Sequence, residues 1–246
     1  MTDRATFLGR IRAEIGTTLG LFTAAVTPRP SHPREIAETL RRELAERWRE
    51  TLESFRVEFE RVGGVYHRVA TAAEAPDVIV GIARECEART AIAWHPSALG
   101  TDWPETLTAR GLATTMMPAG GVEAAEGQAL RAVIAAADVG VTGVDLAVAE
   151  TGSLVLLSGA GRPRSTSLLP PYHVAVFDRG ALVESLSQVG VFLEAWHDGE
   201  LAPWRGGAIN VITGPSRTAD IELTLTRGVH GPKEIHAVFV EGGLGG

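Results

Sequence analysis

Hydrophobic positions recur every three or four residues between Ser31 and Gly64. They are Ile36, Leu40, Leu44, Trp48, Leu52, Phe55, Phe59 and Val62. This spacing places them on one face of a helix. Ser31 and Pro33 are typical of a helix start, and Gly63-Gly64 is typical of a helix end. The pattern predicts a long helix over residues 34–62, after a shorter helix and a Pro-rich link. Its apolar face either packs on the main domain or contacts a partner.

From Gly63 onward, short apolar segments alternate with helical ones. Strands are predicted at "GGVYHRV", "TAIAWH", "GLATTMMP", "DVGVTG", "GSLVLLSG", "HVAVFD", "AINVITG" and "EIHAVFVEG". Helices are predicted at "GQALRAVIAAA" and "RGALVESLSQVGVFLEAW". Strands separated by helices imply a mainly parallel, doubly wound α/β sheet. The sequence thus divides into an N-terminal helical extension, 1–60, and an α/β domain, 61–246.

Composition narrows the class of protein. The chain has 246 residues, 45% of them hydrophobic, and a net charge of −7. An acidic chain of this kind is not expected to bind nucleic acid, because neutralising phosphates requires a surplus of Lys and Arg. No segment approaches the roughly 20 apolar residues of a membrane span. The N-terminus lacks the apolar core of a secretory signal. We therefore expect a cytoplasmic protein with no membrane span.

Cys86 is the single cysteine in the chain. One thiol forms no intramolecular disulfide, and it does not supply the several thiolates that an iron–sulfur cluster normally needs. No motif with the spacing of metal ligands is found, and neither a flavin nor a nicotinamide fingerprint is present. The sequence therefore predicts no metal site and no cofactor in this chain.

Polar residues gather in three loops, and the first of these is "TGVDLAVAETGS". Asp145 and Glu150 flank an apolar run, and Gly152 follows closely. A carboxylate beside a glycine turn at a strand end is partly desolvated, which raises its pKa and suits acid/base or nucleophilic chemistry. It is equally able to cap a helix or to accept backbone N–H bonds in the turn. Both roles remain open for Asp145 and Glu150.

The second loop is "SGAGRPRSTSLLPPYH". Its candidate ligand-binding residues are Arg162, Arg164, Ser165, Thr166 and Ser167. Guanidinium, hydroxyl and glycine N–H donors in one short stretch match a phosphate or a carboxylate. The alternative is that the arginines are simply solvated. His173, which opens the next strand, is expected to be a hydrogen bonder at the strand end.

The third loop follows the strand "AINVITG". Its candidate residues are Gly214, Ser216, Arg217, Thr218 and Asp220, with His230 beyond them as a possible proton donor. A hydroxyl cap, free N–H groups and an arginine together predict an anion site at a helix N-terminus. Asp220 opposes a bound anion unless it pairs with Arg217. If the second and third loops converge, they bind one small anion between them.

Three segments carry a resemblance to a known family. They are "VTGVDLAVAETGSLVL", "RSTSLLPPYHVAVF" and "GPSRTADIELTLTRGVHGPKEIHAVFVEG". In this order, over about residues 60–242, they resemble the LUD domain of the lactate-utilisation proteins, in the short, cysteine-poor form of the protein C type. The resemblance implies a fold of the CoA-transferase, ribose-phosphate isomerase and 5-formyltetrahydrofolate cyclo-ligase type.

The resemblance also implies a role in oxidising L-lactate to pyruvate beside iron–sulfur partner proteins. With no redox centre of its own, the chain is expected to be a non-redox subunit that binds a small anionic ligand, and a homo-oligomer is possible. In the related CoA-transferases a glutamate near a glycine is the nucleophile, and Glu150 in "AETG" is similar. The alternative function is therefore an acyl- or phosphate-handling transferase or ligase that uses Glu150.

Overall fold

In a computed structural model of the protein, the residues described are 4–17, 31–120, 123–198, 207–218, 226–228 and 230–244. The chain forms two compact units, Met1–Ser31 and His32–Gly246. The first unit contains helix α1, Arg4–Thr17, which is the shorter helix that the sequence predicts. The Pro-rich link lies outside the described residues.

The second unit contains the remaining elements. The helices are α2 Pro33–Arg61, α3 Ala75–Glu85, α4 Pro96–Leu99, α5 Pro104–Ala109, α6 Ala124–Ala136, α7 Ser165–Leu168 and α8 Leu186–Trp196. The strands are β1 Val65–Val69, β2 Thr90–Ala93, β3 Ala113–Met116, β4 Val139–Gly143, β5 Leu146–Val148, β6 Ser153–Ser158, β7 Tyr172–Asp178, β8 Leu182–Val183, β9 Ala208–Ile212, β10 Arg217–Thr218, β11 Thr226–Arg227 and β12 Glu234–Val240. None of the helices in the described ranges is long and apolar enough to cross a membrane.

Six strands form one sheet in the order β1-β12-β7-β4-β2-β3, and every pair in it is parallel. This confirms the predicted parallel α/β architecture. The central strands β4, β7 and β12 are apolar and almost entirely buried. Strands covered on both faces have this composition, because neither face meets water.

Four further strands form a second sheet in the order β8-β5-β6-β9. β6 is antiparallel to both β5 and β9. The prediction that "GSLVLLSG" and "AINVITG" belong to the doubly wound sheet is therefore wrong. Val144 and Asp145 alone connect β4 to β5, and such a connection is too short for a parallel crossover. The chain has to leave the first sheet at this point, and it starts the second.

The helix predicted over "RGALVESLSQVGVFLEAW" begins later than the sequence suggests. Arg179–Ala181 is a 3-10 turn, and the helix starts at Leu186. Leu182 and Val183 are fully buried and pair with β5 as strand β8. The tertiary pairing of these two residues overrides the helical pattern.

Helix α2 confirms the predicted long helix and its punctuation. Pro33 occupies the first turn, and the chain turns at Gly63 with a φ of +94°. Phe55 and Phe59 are completely buried, whereas Ile36, predicted on the same face, is 39% exposed. The compact unit begins at His32, so the predicted extension 1–60 contains a helix that supplies part of the core of the α/β unit.

Candidate functional site at the carboxyl edge of the parallel sheet

A cleft of about 360 Å³ lies where the parallel strands end. It is lined by Ser97, Ala98, Leu99, Gly100, Gly143, Val144, Asp145, Val176, Phe177, Asp178, Gly180, Ala181 and Leu244. From β2 the chain moves outward to β3, and from β4 it moves the other way to β7. The direction in which the chain adds successive strands to the sheet therefore reverses between β2 and β4, although all the strands are parallel. Ligands of open α/β sheets bind outside the carboxyl ends of strands at such a reversal.

Asp145 lies in this cleft, next to the end of β4. One carboxylate oxygen accepts the Leu157 N–H at 2.7 Å, and the other accepts Arg162 Nη1 at 3.0 Å. The Asp145 and Arg162 side chains are only 17% and 22% exposed. Burial raises the pKa of the Asp145 carboxyl above its usual range, although the Leu157 N–H and Arg162 act to lower it. The structure thus brings two predicted site residues together as a half-buried pair.

The loop that carries Arg162 is attached over the end of β2. The His95 N–H donates to the Gly161 carbonyl at 2.8 Å, and Trp94 Nε1 donates to the Pro163 carbonyl at 3.2 Å. Gly161 has a φ of +73°, and a side chain there would meet the Cβ of His95. Because these contacts fix both sides of Arg162, its position relative to Asp145 is set by backbone bonds.

Sequence reasoning missed Asp178, His95 and Ser97. Asp178 accepts the Gly180 N–H at 2.7 Å and the Leu244 N–H at 2.9 Å, so it ties the last described segment to the cleft. His95 Nδ1 lies 2.8 Å from Ser97 Oγ. Asp178 closes "HVAVFD" and His95 closes "TAIAWH". A polar residue at the end of an apolar strand was the signal that could have identified both.

Glu150 lies at the other end of β5 from Asp145. Its carboxylate accepts the Leu186 N–H at 2.9 Å, at the first turn of α8. Glu50, Glu58 and Glu184 line the same shallow groove. Arg47 pairs with Glu184 and Arg61 pairs with Glu58, which leaves Glu50 and Glu150 to repel an anionic acyl or phosphate substrate. The arrangement favours the capping role that the sequence left open for Glu150.

We expect Glu150→Gln to lower the free energy of unfolding by no more than about 1 kcal/mol, because the amide oxygen still accepts the N–H while the favourable charge at the helix N-terminus is lost. Urea denaturation measures the change. The nucleophile alternative is checked by intact-protein mass spectrometry after incubation with an acyl-CoA. An adduct that forms on the unsubstituted protein and is absent from Glu150→Gln would contradict the capping role.

Arg217 and Gly214 contact the end of α2. Arg217 Nη2 donates to the Val62 carbonyl at 2.7 Å. Gly214 has a φ of +76°, and a Cβ there would lie 2.5 Å from the same carbonyl oxygen. A cation beside the last carbonyls of a helix satisfies acceptors and complements the helix dipole. In this structure Arg217 therefore caps α2.

The remaining residues of the third loop lie beside that cap. Ser216 Oγ accepts the His230 N–H at 3.4 Å, and the Ser216 carbonyl accepts the Gly228 N–H. The backbone of Thr218 pairs with β11. Asp220 and the helix start predicted near it lie outside the described residues. His230 is exposed and lies in the loop that leads into the start of β12.

The second and third loops leave the second sheet at opposite ends. The loop of Arg162 follows Ser158, whereas Thr213, which opens the third loop, hydrogen-bonds Ser153 at 2.7 Å. Six residues of β6 place those ends about 17 Å apart. Arg162 and Arg217 thus bind different elements, so the structure does not bring them to one anion.

Arg164, Ser165 and Ser167 lie on the turn that becomes α7. Ser167 is buried and its hydroxyl donates to the Arg164 carbonyl at 2.9 Å, which closes the turn. The Arg164 side chain is exposed, and Ser165 is half-buried. Thr166 is fully buried against Gly140 of β4. Of the candidates in this loop, Arg162 is the one that reaches the cleft residue Asp145.

A larger groove of about 850 Å³ lies between α2 and α8. Two of its arginines already have partners. Arg34 pairs with Asp198, and the Arg41 guanidinium lies 4.1 Å from the centre of the Phe192 ring. The groove is formed by helix sides and lies away from the strand ends. The smaller cleft is the better candidate site because it lies at the strand ends and contains Asp145 of the half-buried ion pair.

Comparison with known proteins gives relatives with one shared name. Lactate utilization protein C of Halalkalibacterium halodurans is 45% identical over 47% of this chain and 50% of its own length. The proteins of that name from Geobacillus sp. and Bacillus subtilis are 40% and 37% identical, each over 42% of both chains. The chain therefore spans half or less of the length of these relatives.

Among solved structures, a DUF162 family protein from Deinococcus radiodurans matches with a TM-score of 0.53 at 22% identity. The match covers 78% of this chain and 97% of that chain, and it supports the fold. The family model described as the LUD domain matches residues 52–240, which include the last third of α2 and both sheets. The chain belongs to the LUD domain family.

Proposed function

We propose that the protein is a subunit of an L-lactate utilisation system and binds a small carboxylate at the carboxyl-edge cleft. The names of the relatives support the pathway, and membership of the LUD domain family is consistent with it. The observation that supports the site is the half-buried pair of Arg162 and Asp145, of which Asp145 lines the cleft.

The pair offers complementary partners to a 2-hydroxycarboxylate such as lactate. A guanidinium carries five N–H donors and binds a carboxylate through two of them. Arg162 contacts Asp145 through Nη1, and the proposal assigns the other N–H donors of its guanidinium to the ligand carboxylate. Each oxygen of Asp145 has a second lone pair that is able to accept a hydroxyl hydrogen. In this proposal, the ligand carboxylate binds the Arg162 guanidinium and the ligand hydroxyl donates to Asp145.

Oxidation of lactate removes two electrons, and an acceptor has to receive them. Cys86 alone does not ligate an iron–sulfur cluster. The proposal therefore assigns the clusters to iron–sulfur partner proteins and gives this chain a binding role without a redox centre. It places the assembly in the cytoplasm, where a single thiol stays reduced.

The test compares Arg162→Ala with Arg164→Ala, which removes an exposed arginine from the same loop. We expect Arg162→Ala to weaken binding of lactate or pyruvate by about 1.5–3 kcal/mol in calorimetry, because a hydrogen bond to a charged group is lost. We also expect it to fail to restore growth on L-lactate in a strain lacking the gene. Arg164→Ala should bind and restore growth like the unsubstituted protein.

Arg162→Lys serves as the second variant, because it keeps a positive charge near Asp145 while removing the planar fork. We expect it to fold and to bind the carboxylate more weakly. Equal affinities for all the variants would refute the cleft as the site. Normal growth on L-lactate without the gene would refute the pathway.

A further inference from the structure

Three potential metal ligands meet at the amino edge of the main sheet. Cys86 follows the end of α3, and Glu234 and His236 lie at the start of β12. The Cys86 Sγ, a Glu234 carboxylate oxygen and a His236 ring nitrogen all lie within 4.8 Å of one another. They form the one such group of three found among the described residues.

His236 gives an independent indication that a ligand belongs in this group. The residue is 4% exposed, and its Nε2 is buried with no hydrogen-bond partner in the described part of the chain. Nε2 lies 3.6 Å from the nearer Glu234 oxygen, beyond hydrogen-bond distance. A buried polar atom without a partner is rare and requires an explanation. Here the bare nitrogen faces a thiol and a carboxylate.

We propose that Cys86, Glu234 and His236 bind a divalent cation of the zinc type. Thiolate, imidazole and carboxylate are the ligands that zinc takes in proteins, and three of them with an open fourth position are typical of sites that bind water or substrate. A thiolate and an imidazole together disfavour magnesium and calcium, which prefer oxygen ligands.

The geometry requires a small adjustment. Ligand atoms around a tetrahedral zinc ion lie about 3.3–3.6 Å apart, as follows from the usual metal–ligand distances. His236 and Glu234 are already at 3.6 Å. Glu234 is 44% exposed and Cys86 is partly exposed, so both are able to rotate toward the buried imidazole.

The surroundings of His236 resemble the outer shell of a metal site. Its Nδ1 lies 3.1 Å from His67 Nε2. In the tautomer in which His236 Nδ1 donates its proton to His67 Nε2, the Nε2 of His236 keeps its lone pair for a metal ion. Burial and the negative charge of Glu234 raise the pKa of the Cys86 thiol, so a cation that binds displaces its proton. The positive charge of Lys233 acts to lower the pKa of this thiol, but it also repels a cation bound beside it, and we expect the repulsion to be the larger effect.

This group is separate from the carboxyl-edge cleft. β7 and β12 run side by side from one edge to the other, and seven residues of strand span about 20 Å. The inference therefore stands or fails independently of the proposed function.

Cobalt(II) titration of the untagged protein tests the proposal by absorption spectroscopy. Cys86 is the single cysteine, so a thiolate-to-cobalt charge-transfer band has one possible source. We expect this band together with the d–d bands of a tetrahedral ion, and we expect zinc to displace the cobalt. Cys86→Ser should remove the charge-transfer band.

Glu234→Gln should weaken cobalt affinity tenfold or more, and Lys233→Gln should strengthen it. The matched control is Glu241→Gln, at the other end of β12, where the carboxylate pairs with Arg68. This variant should bind cobalt like the unsubstituted protein. The proposal is overturned if the unsubstituted protein shows no thiolate band, or if Glu234→Gln and Glu241→Gln bind cobalt equally.

Discussion

Replacing Phe55 with alanine should lower the free energy of unfolding by about 3–5 kcal/mol, the usual cost of removing a buried aromatic ring. Phe55 is completely buried on α2. Its ring stacks on Phe59 at 5.3 Å and meets Phe177 of β7 edge-on at 5.3 Å. The lost contacts join the helix to the middle of the parallel sheet, so the cavity opens in the centre of the core.

Val57→Ala is the matched control, because Val57 lies on the same helix and is 46% exposed. Removing its methyl groups should change stability by no more than about 0.5 kcal/mol. Urea denaturation followed by circular dichroism compares the two variants. Similar midpoints for Phe55→Ala and Val57→Ala would show that α2 lies outside the cooperative unit. That outcome would agree with the division between residues 60 and 61 that the sequence predicts.

Acid should destabilise the protein between about pH 6.5 and pH 4 through its buried histidines. Burial, reinforced by His236, lowers the pKa of His173 to about 3, and burial with His67 lowers the pKa of His236 to about 4. As the pH falls through 6.5, the unfolded chain takes up protons at these sites and the folded chain does not. Stability is therefore lost toward acid, by up to about 1.4 kcal/mol per pH unit for each histidine.

His173→Gln should reduce this slope by up to about 1.4 kcal/mol per pH unit, since it removes one of three histidines, with His67 and His236, whose pKa is lowered in the folded chain. Its amide is able to keep a hydrogen bond to Thr142, whose Oγ1 lies 2.8 Å from His173 Nε2. His230→Gln, which removes an exposed imidazole, is the control. Unfolding should be measured in a metal chelator, so that cation binding does not contribute. An unchanged slope in His173→Gln would contradict the assignment.

Local patterns predicted the elements whose signals are local. The apolar spacing and the Pro33 and Gly63 punctuation fixed α2 to within a residue at each end, since caps and periodicity act over a few residues. The second sheet was missed because β5 has three residues and β8 has two. Segments that short become strands because they pair with neighbouring strands, and they contain too few residues to show a period-2 pattern of apolar positions.

The candidate site was predictable in part for the same reason. Asp145 and Arg162 were both predicted as site residues. They pair because the loop that carries Arg162 folds back over the end of β2, next to Asp145. The contact of Arg217 with the Val62 carbonyl could not be predicted from residue types, because the partner is a backbone atom at the end of a helix that is distant in the sequence. Cys86 and His236 are far apart in the sequence, and the packing of the end of α3 against β12 brings them together.

The end of α2 has a mechanical consequence for the cleft. Gly152, with a φ of +60°, packs directly on the backbone of Phe59, and Gly214 packs on Val62. Both glycines belong to turns of the second sheet, while β1 of the first sheet starts just after Gly63. The C-terminal end of α2 thus contacts both sheets at the edge opposite the cleft. These contacts restrict movement of one sheet relative to the other, so we expect the cleft to be preformed and to keep its width when a ligand binds.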